Sequence, residues 1–101
     1  MLLAPLAFAG EIYGSIEVVG GSNAGLTVEI THISTGGSYH TTADNYGSYG
    51  VDVDGRGRCS LRVKMLNGSY TTPIEVYSYE NPQRYDLVIE SRNGEYFLRR
   101  R

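Results

Sequence analysis

Apolar and polar residues alternate along much of this chain, and this period of two constrains its fold more than any other feature. The alternation is clearest in residues 12–18, 26–30 and 59–65, where one parity is mostly apolar. Successive side chains of a β-strand point to opposite faces, so the pattern predicts strands with one buried face. Glycine-rich clusters such as 20–25 separate these segments, and no window beyond residue 10 has helical periodicity. The sequence therefore predicts about seven short strands in a sandwich or barrel.

Two Asn-Gly dipeptides predict hairpins, because both central residues of a type I′ turn need positive φ. A two-residue turn at Asn67-Gly68 gives a register in which apolar residues face apolar ones. Its predicted pairs are Leu66 with Ser69, Met65 with Tyr70, Lys64 with Thr71, Leu61 with Ile74, and Cys59 with Val76. The turn at Asn93-Gly94 pairs Arg92 with Glu95 and Ile89 with Leu98, and places Asp86 opposite Arg101. Pro73 cannot donate to a ladder, so we expect it at an edge or a bulge.

Composition limits the classes of function open to the chain. Its 101 residues are enough for one domain with a thin core. The net charge of −2 provides no cationic field for nucleic acid. One cysteine cannot form an internal disulfide, and no apolar run reaches the ~18 residues that would span a bilayer. We therefore expect neither nucleic-acid binding nor a membrane span.

The N-terminus indicates export. Residues 1–9, MLLAPLAFA, are almost wholly apolar, and the character changes abruptly at Gly10-Glu11. Ala7-Phe8-Ala9 matches the small-residue pattern of a signal-peptide cleavage site. We expect residues 1–9 to be a signal peptide, or the remnant of one that begins upstream, and residues 10–101 to be a single exported β-sandwich domain. Its location would be the periplasm, the cell surface or the extracellular space. The alternative is a hydrophobic first strand or an unstructured start.

Two motifs in the middle of the chain resemble a known family. They are TADNYGSY at residues 42–49 and GRCSLRV at residues 57–63. Over roughly residues 11–78 the chain is similar to carboxypeptidase regulatory-like domains, which show a T-D-x-x-G-x-Y/F hairpin followed by a G-x-C/Y-x-L-x-V strand. The resemblance implies an all-β, antiparallel immunoglobulin-like or transthyretin-like sandwich. The closing stretch looks like small exported bacterial proteins that share this fold.

The Asp44-x-x-Gly47 turn has a physical explanation that does not depend on the family. Asp44 can accept hydrogen bonds from the amides of the turn, and Gly47 can supply a positive φ. Tyr49 is then expected to point inward. The transthyretin-like fold also includes hydrolases of oxidised purine products, which carry a characteristic C-terminal tetrapeptide. This chain has LRRR at residues 98–101 instead, so the resemblance to the hydrolases fails there.

No cofactor, metal or catalytic residue is predicted. His32 continues the inward parity of its strand and His40 opposes it, with no cysteine or carboxylate at ligand spacing. Residues 52–55, DVDG, imitate the start of a calcium loop, but no acid stands at its twelfth position. Cys59 shares the parity of its apolar neighbours, so we expect a buried thiol that reacts slowly with labelling reagents.

Tyrosine and arginine are abundant for so small a chain, with nine tyrosines in total. Tyr49, Tyr70, Tyr85 and Tyr96 are predicted at the core or its edge. Exposed tyrosine offers rigid apolar area with one hydroxyl, which suits an interface. The predicted interface residues are Tyr13, Tyr46, Tyr77, Tyr79 and Arg84. The predicted function is a non-enzymatic exported module that contacts another exported protein or itself, through this aromatic face or an open sheet edge. A carbohydrate or peptidoglycan binder is the first alternative, and a small hydrolase is the second.

Overall fold

A computed structural model describes residues 9–101, and all regular structure in this range is β-strand. The strands are β1 (Ala9–Val18), β2 (Thr27–His32), β3 (Ser38–Thr42), β4 (Ser48–Asp54), β5 (Gly57–Lys64), β6 (Ile74–Ser78), β7 (Gln83–Arg84), β8 (Leu87–Arg92) and β9 (Glu95–Arg100). Two sheets enclose one apolar core, which confirms the predicted all-β sandwich. Of the predicted leader, residues 1–8 lie outside the described residues, and Ala9 is the first residue of β1.

The sheet topology differs from the sequence prediction in two respects. One sheet has the order β4-β1-β8-β9, with β7 also beside β1, and the other has the order β3-β2-β5-β6. The described residues form nine strands, where the pattern predicts about seven. β1 pairs parallel with β7 and β8, so the first sheet is mixed, where the sequence predicts an antiparallel one. The alternation along β1 cannot predict that β7 and β8 are its partners, because a period of two indicates only which face of a strand is buried.

The core is formed mainly by the apolar parity of the longer strands, as the alternation predicts. Ile12, Leu61 and Ile89 are fully buried, one on each of three different strands. Burying a side chain of this size contributes roughly 1.5–3 kcal/mol, so these strands hold the two sheets together. The outward parity of β4 is exposed at every position, which gives it a clean alternation of buried and exposed residues.

The Asn93-Gly94 hairpin is confirmed. Asn93 and Gly94 have φ values of 52° and 80°, as a type I′ turn requires. The observed register pairs Arg92 with Glu95 and Ile89 with Leu98. The Arg101 amide donates to the Asp86 carbonyl at 2.8 Å, so these residues also oppose each other as predicted.

The predicted two-residue turn at Asn67-Gly68 is wrong, although the register predicted for β5 and β6 further from the turn is right. Gly68 has φ 89°, but Asn67 does not have positive φ. The Met65 amide donates a hydrogen bond to the Ser69 carbonyl at 2.7 Å, so residues 66–68 form a three-residue loop. The ladder then continues with Lys64 opposite Tyr70. The segment that leads into β6 then has one extra residue before Ile74. This bulge restores the predicted pairs, among them Leu61–Ile74 and Cys59–Val76. Pro73 lies in this bulge, as expected.

The turn between β3 and β4 has the predicted geometry. The Asp44 carboxylate accepts hydrogen bonds from the amides of Tyr46 at 2.8 Å and Ser48 at 2.9 Å. Gly47 has φ 83°, a backbone conformation that would be strained in a residue with a side chain. Tyr49 points inward, where its hydroxyl donates to the Tyr85 carbonyl at 2.7 Å and burial raises its pKa. The turn therefore has a structural role that accounts for its sequence.

Candidate interaction surfaces

The five predicted interface residues do not form one surface. Tyr77 and Tyr79 lie at the end of β6, with ring centroids 6.1 Å apart and planes 11° from parallel. Tyr13 and Arg84 are register partners on β1 and β7, in the other sheet. Tyr46 lies by itself in the turn between β3 and β4 and is 85% exposed. Tyr13 and Tyr77 are half-buried, so they offer less free area than their outward parity suggests.

Tyr70 is not at the core edge, where the sequence predicts it. It is 39% exposed, because the shifted turn places it beside Lys64 on the outer face of the second sheet. Its hydroxyl donates to the Glu29 carboxylate at 2.9 Å, and the Arg62 guanidinium lies 3.7 Å from its ring centroid. Burial raises the pKa of Glu29, but the bonds from Tyr70 and Arg62 outweigh it and hold that pKa below its ordinary value. The side chains of Tyr70, Glu29 and Arg62 therefore form one cluster on the outer face of this sheet.

Arg84 is occupied by a contact within its own sheet. Its Nε donates to both carboxylate oxygens of Asp86, at 3.2 and 3.1 Å. The Ser15 amide and hydroxyl donate to the same carboxylate at 3.1 and 3.0 Å. Asp86 thus joins β1 to the segment between β7 and β8. Burial raises the pKa of Asp86, but the bonds from Ser15 and Arg84 outweigh it, and the net pKa lies below the usual value.

We expect Asp86 to make the fold acid-sensitive. A carboxylate whose pKa is lowered on folding stabilises the folded state above its unfolded pKa of about 3.9. That stabilisation is lost as pH falls through the lower, folded pKa. Urea unfolding of Asp86→Asn between pH 2 and 5 should therefore show a flatter loss of stability than the parent chain. The control Asp52→Asn, at an exposed position on β4, should keep the parent slope; equal slopes for Asp86→Asn and the parent would contradict the prediction.

The free edge of β6 is covered by side chains from the opposite sheet. Glu75 and Tyr77 direct their backbone groups away from β5, since their neighbours form the ladder. The Tyr77 amide donates to the Tyr85 hydroxyl at 2.9 Å, and the Arg100 guanidinium donates to the Glu75 carbonyl at 2.7 Å. Pro73 has no amide proton to offer. This edge therefore has few groups left for a further strand.

The free edge of β9 is also occupied. Thr72, in the bulge before β6, donates its amide to the Tyr96 carbonyl at 3.0 Å. Its hydroxyl accepts a hydrogen bond from the Leu98 amide at 3.1 Å. One residue of the second sheet thus satisfies two edge groups of the first. Together with the contacts of Tyr85 and Arg100, it closes this side of the sandwich.

The edges of β3 and β4 are open in the described residues, and they differ in charge. The backbone of Ser38, His40 and Thr42 points away from β2, because the intervening residues make the β2–β3 ladder. No hydrogen bond of the described residues uses these edge groups. On β4 the corresponding open positions carry Asp52 and Asp54, and charged side chains discourage strand pairing. The edge of β3 is a candidate site that the tyrosine argument missed; the absence of Asp, Glu, Lys and Arg from residues 38–42 was the signal for it.

Among the candidate catalytic and metal-binding side chains, His32 and Cys59 are register partners on β2 and β5, whereas His40 lies on the edge strand β3. His32 is buried, with Nε2 2.8 Å from the Arg56 carbonyl and Nδ1 3.2 Å from the Ser34 hydroxyl, so both ring nitrogens have structural partners. His40 is exposed on β3. Cys59 is buried as predicted, and burial raises the pKa of its thiol. Its slow labelling stays a prediction. Within residues 9–101 no group of three His, Cys, Asp or Glu side chains could hold a metal ion.

Comparisons with known proteins add no identification. None of the described residues belongs to a helix long and apolar enough to cross a membrane. No protein-family model matches the chain, and a search of curated proteins finds no significant match. The structure establishes the class of the fold, an all-β sandwich of two sheets.

Proposed function

We propose that this protein is a non-enzymatic binding module that holds an extended segment of a partner protein along the edge of β3. The observation that carries the proposal is the difference among β3, β4, β6 and β9, the strands at the ends of the two sheet orders in residues 9–101. β6 and β9 are covered by side chains and β4 carries aspartates, whereas β3 combines unused backbone groups with no Asp, Glu, Lys or Arg. An exposed edge of this kind is a ready template for an added strand.

The chemistry of strand addition suits β3. Three outward residues offer three amide donors and three carbonyl acceptors, which a peptide of about five residues can pair. Main-chain bonds would supply the affinity, and side chains near the edge would supply the selectivity. Tyr39 and Thr41 are half-buried beside this edge, so the partner's inward side chains would contact them. β-branched and aromatic residues such as these favour cross-strand pairing.

The proposal also includes an exported location and a place among the carboxypeptidase regulatory-like, transthyretin-like domains. The apolar start of the chain and its Ala7-Phe8-Ala9 pattern support export. The two-sheet architecture and the Asp44 turn support the family resemblance. The partner would then be another exported protein or a second copy of this one.

A paired substitution at His40 tests the edge itself. Extended peptides that bind the domain are first selected from a random library. His40→Pro removes one outward amide and no bond to β2, so peptide binding should weaken about tenfold or more. His40→Ala removes only the side chain and should bind as the parent does. Amide hydrogen exchange at Ser38, His40 and Thr42 should slow when the peptide is bound.

Three results would contradict the proposal. The first is that the selected peptides bind His40→Pro, shown to be folded by its unfolding curve, as tightly as His40→Ala. The second is protection of amides elsewhere with none on β3. The third is turnover of an ester, peptide or purine-derived substrate that disappears when His32, His40 or Cys59 is replaced, which would support the hydrolase alternative.

A carbohydrate or peptidoglycan binder is the second candidate, and the stacked pair of Tyr77 and Tyr79 favours it. Their nearly parallel rings form a small platform at the end of β6, and Tyr79 is 46% exposed. Tyrosine faces of this kind pack against sugar rings. A glycan array distinguishes the candidates: capture of a glycan that is lost in Tyr79→Ala, with no peptide bound at β3, would favour the carbohydrate binder.

A further inference from the structure

One end of the sandwich holds a cavity of about 380 Å³. It opens among the loop after β1, the turn after β5 and the β8–β9 hairpin. Val19 and Leu66 form its rim and are 57% and 73% exposed, whereas Leu26 and Tyr96 lie deeper. Its volume falls within the range of ligand-binding pockets. None of the lining residues carries a charge, so a charged occupant would lose hydration there without gaining a partner.

Tyr46 lies at the same end of the sandwich. The turn that carries it follows Ala43, whose amide donates to the carbonyl of Leu26 in the cavity wall at 2.8 Å. Asn23 borders the same turn, and its side chain accepts a hydrogen bond from the Val18 amide at 2.9 Å. A short contact network therefore joins the turn to the rim. The cavity and the tyrosine belong to one end face.

Tyr46 has the properties of an anchor residue. At 85% it is the most exposed large hydrophobic side chain of the described residues. The Asp44 carboxylate binds the amides of Tyr46 and Ser48, so the turn is already held before any partner arrives. A side chain presented from an ordered turn loses little conformational entropy on binding, and tyrosine is enriched among the residues that dominate interfaces.

We propose that two copies of this chain associate end to end, with Tyr46 of each copy seated in the end cavity of the other. A projection and a cavity on one face can always be exchanged by a two-fold axis that lies in that face midway between them. The contact is then isologous and closes at two copies. The lining without charges accepts the apolar ring, and the Ser91 hydroxyl at the cavity offers a partner for the tyrosine hydroxyl. The Asn67 amide already bonds Tyr96 and Ser69, but it keeps a second N–H that can donate to the same hydroxyl.

This inference does not depend on strand addition at β3. It uses loops at one end of the sandwich, whereas the proposed function uses the backbone of an edge strand. A single face of this size buries little area, so we expect a weak, reversible dimer that dissociates on dilution.

Sedimentation velocity on the full chain, from micromolar to millimolar concentration, tests the dimer. The parent chain should shift from monomer to dimer across the series. Tyr46→Ala should weaken the association at least about tenfold, and Leu66→Glu should do the same by placing a charge on the rim. Tyr79→Ala is the matched control, since it removes another exposed tyrosine outside this end face, and it should associate as the parent does. In ¹H–¹⁵N spectra, dilution should move the amide signals of Val19, Tyr46 and Leu66 together.

Several outcomes would overturn the inference. A parent chain that stays monomeric at millimolar concentration would do so. A dimer that persists in Tyr46→Ala but is lost in His40→Pro would assign self-association to β3 instead. Binding of N-acetyltyrosinamide in the cavity of a protein that never dimerises would show a site for a free ligand or another protein. Failure of the β3 experiment leaves these results unchanged, so the two proposals are tested separately.

Discussion

Replacing Gly14 with valine is expected to lower the free energy of unfolding by about 4 kcal/mol or more, which would leave much of the protein unfolded. A Cβ at Gly14 would overlap the Tyr85 carbonyl group, with the carbonyl carbon 2.6 Å away. Real Cβ atoms do not approach backbone atoms this closely, and the backbone of Tyr85 cannot move freely. The Tyr85 amide donates a hydrogen bond to the Tyr13 carbonyl of β1 at 2.8 Å, so the backbone that would clash is itself bonded to β1. Urea unfolding followed by circular dichroism measures the loss.

The same substitution at Gly50 is the matched control. Gly50 lies on β4, beside β1, and faces solvent. A Cβ there would meet the Glu11 carboxylate at 3.6 Å and the Tyr13 Cβ at 3.8 Å, which are ordinary contacts. Gly50→Val should change stability by no more than about 0.5 kcal/mol. Equal losses for the two variants would show that the close approach of β1 to Tyr85 is not the cause.

Replacing Leu61 with alanine is expected to cost about 3 kcal/mol. Leu61 is fully buried on β5, a central strand of the second sheet, with Ile30 and Ile74 as its register partners. The substitution removes buried apolar area and leaves a cavity that the flanking strands cannot close, because both are held by their ladders. Chemical unfolding at low micromolar concentration gives the value.

Leu66→Ala provides the control for Leu61→Ala. Leu66 is the same residue type on the turn that follows β5, but it is 73% exposed. Its removal should change the free energy of unfolding by less than about 0.5 kcal/mol at a concentration where the chain is monomeric. A comparable loss at both leucines would mean that the core does not lie where the alternation and the structure place it.

Local patterns in the sequence predict the parts of this fold that depend on neighbours along the chain. The buried parity of β2 and β5 follows from alternation, because a strand can bury only one of its two faces. The Asp44 turn and the Asn93-Gly94 hairpin follow from residue chemistry, because their backbone conformations suit few other residues. The all-β class follows from the same features.

The Asn67-Gly68 turn shows how far such local reasoning extends. The dipeptide permits a two-residue type I′ turn, and it equally suits a three-residue loop with glycine in the left-handed region. The Thr71 hydroxyl accepts a hydrogen bond from the Val63 amide at 3.0 Å, and Pro73 lies in the bulge that follows. These contacts select the longer loop and move Tyr70 outward. The correct distal register survives because the extra residue in the bulge compensates for the offset at the turn.

The sequence by itself determined the fold class, most of the inward-facing residues and two of the turns, because these are set by residues close together in the chain. Only the tertiary structure decided which strands distant in sequence are neighbours and which edges stay open. The edges of β6 and β9 are covered by Tyr85, Arg100 and Thr72, which lie on or next to strands of the opposite sheet. The end cavity likewise arises where three separate loops meet. Such contacts depend on how the two sheets pack, and packing joins residues that no period along the chain connects.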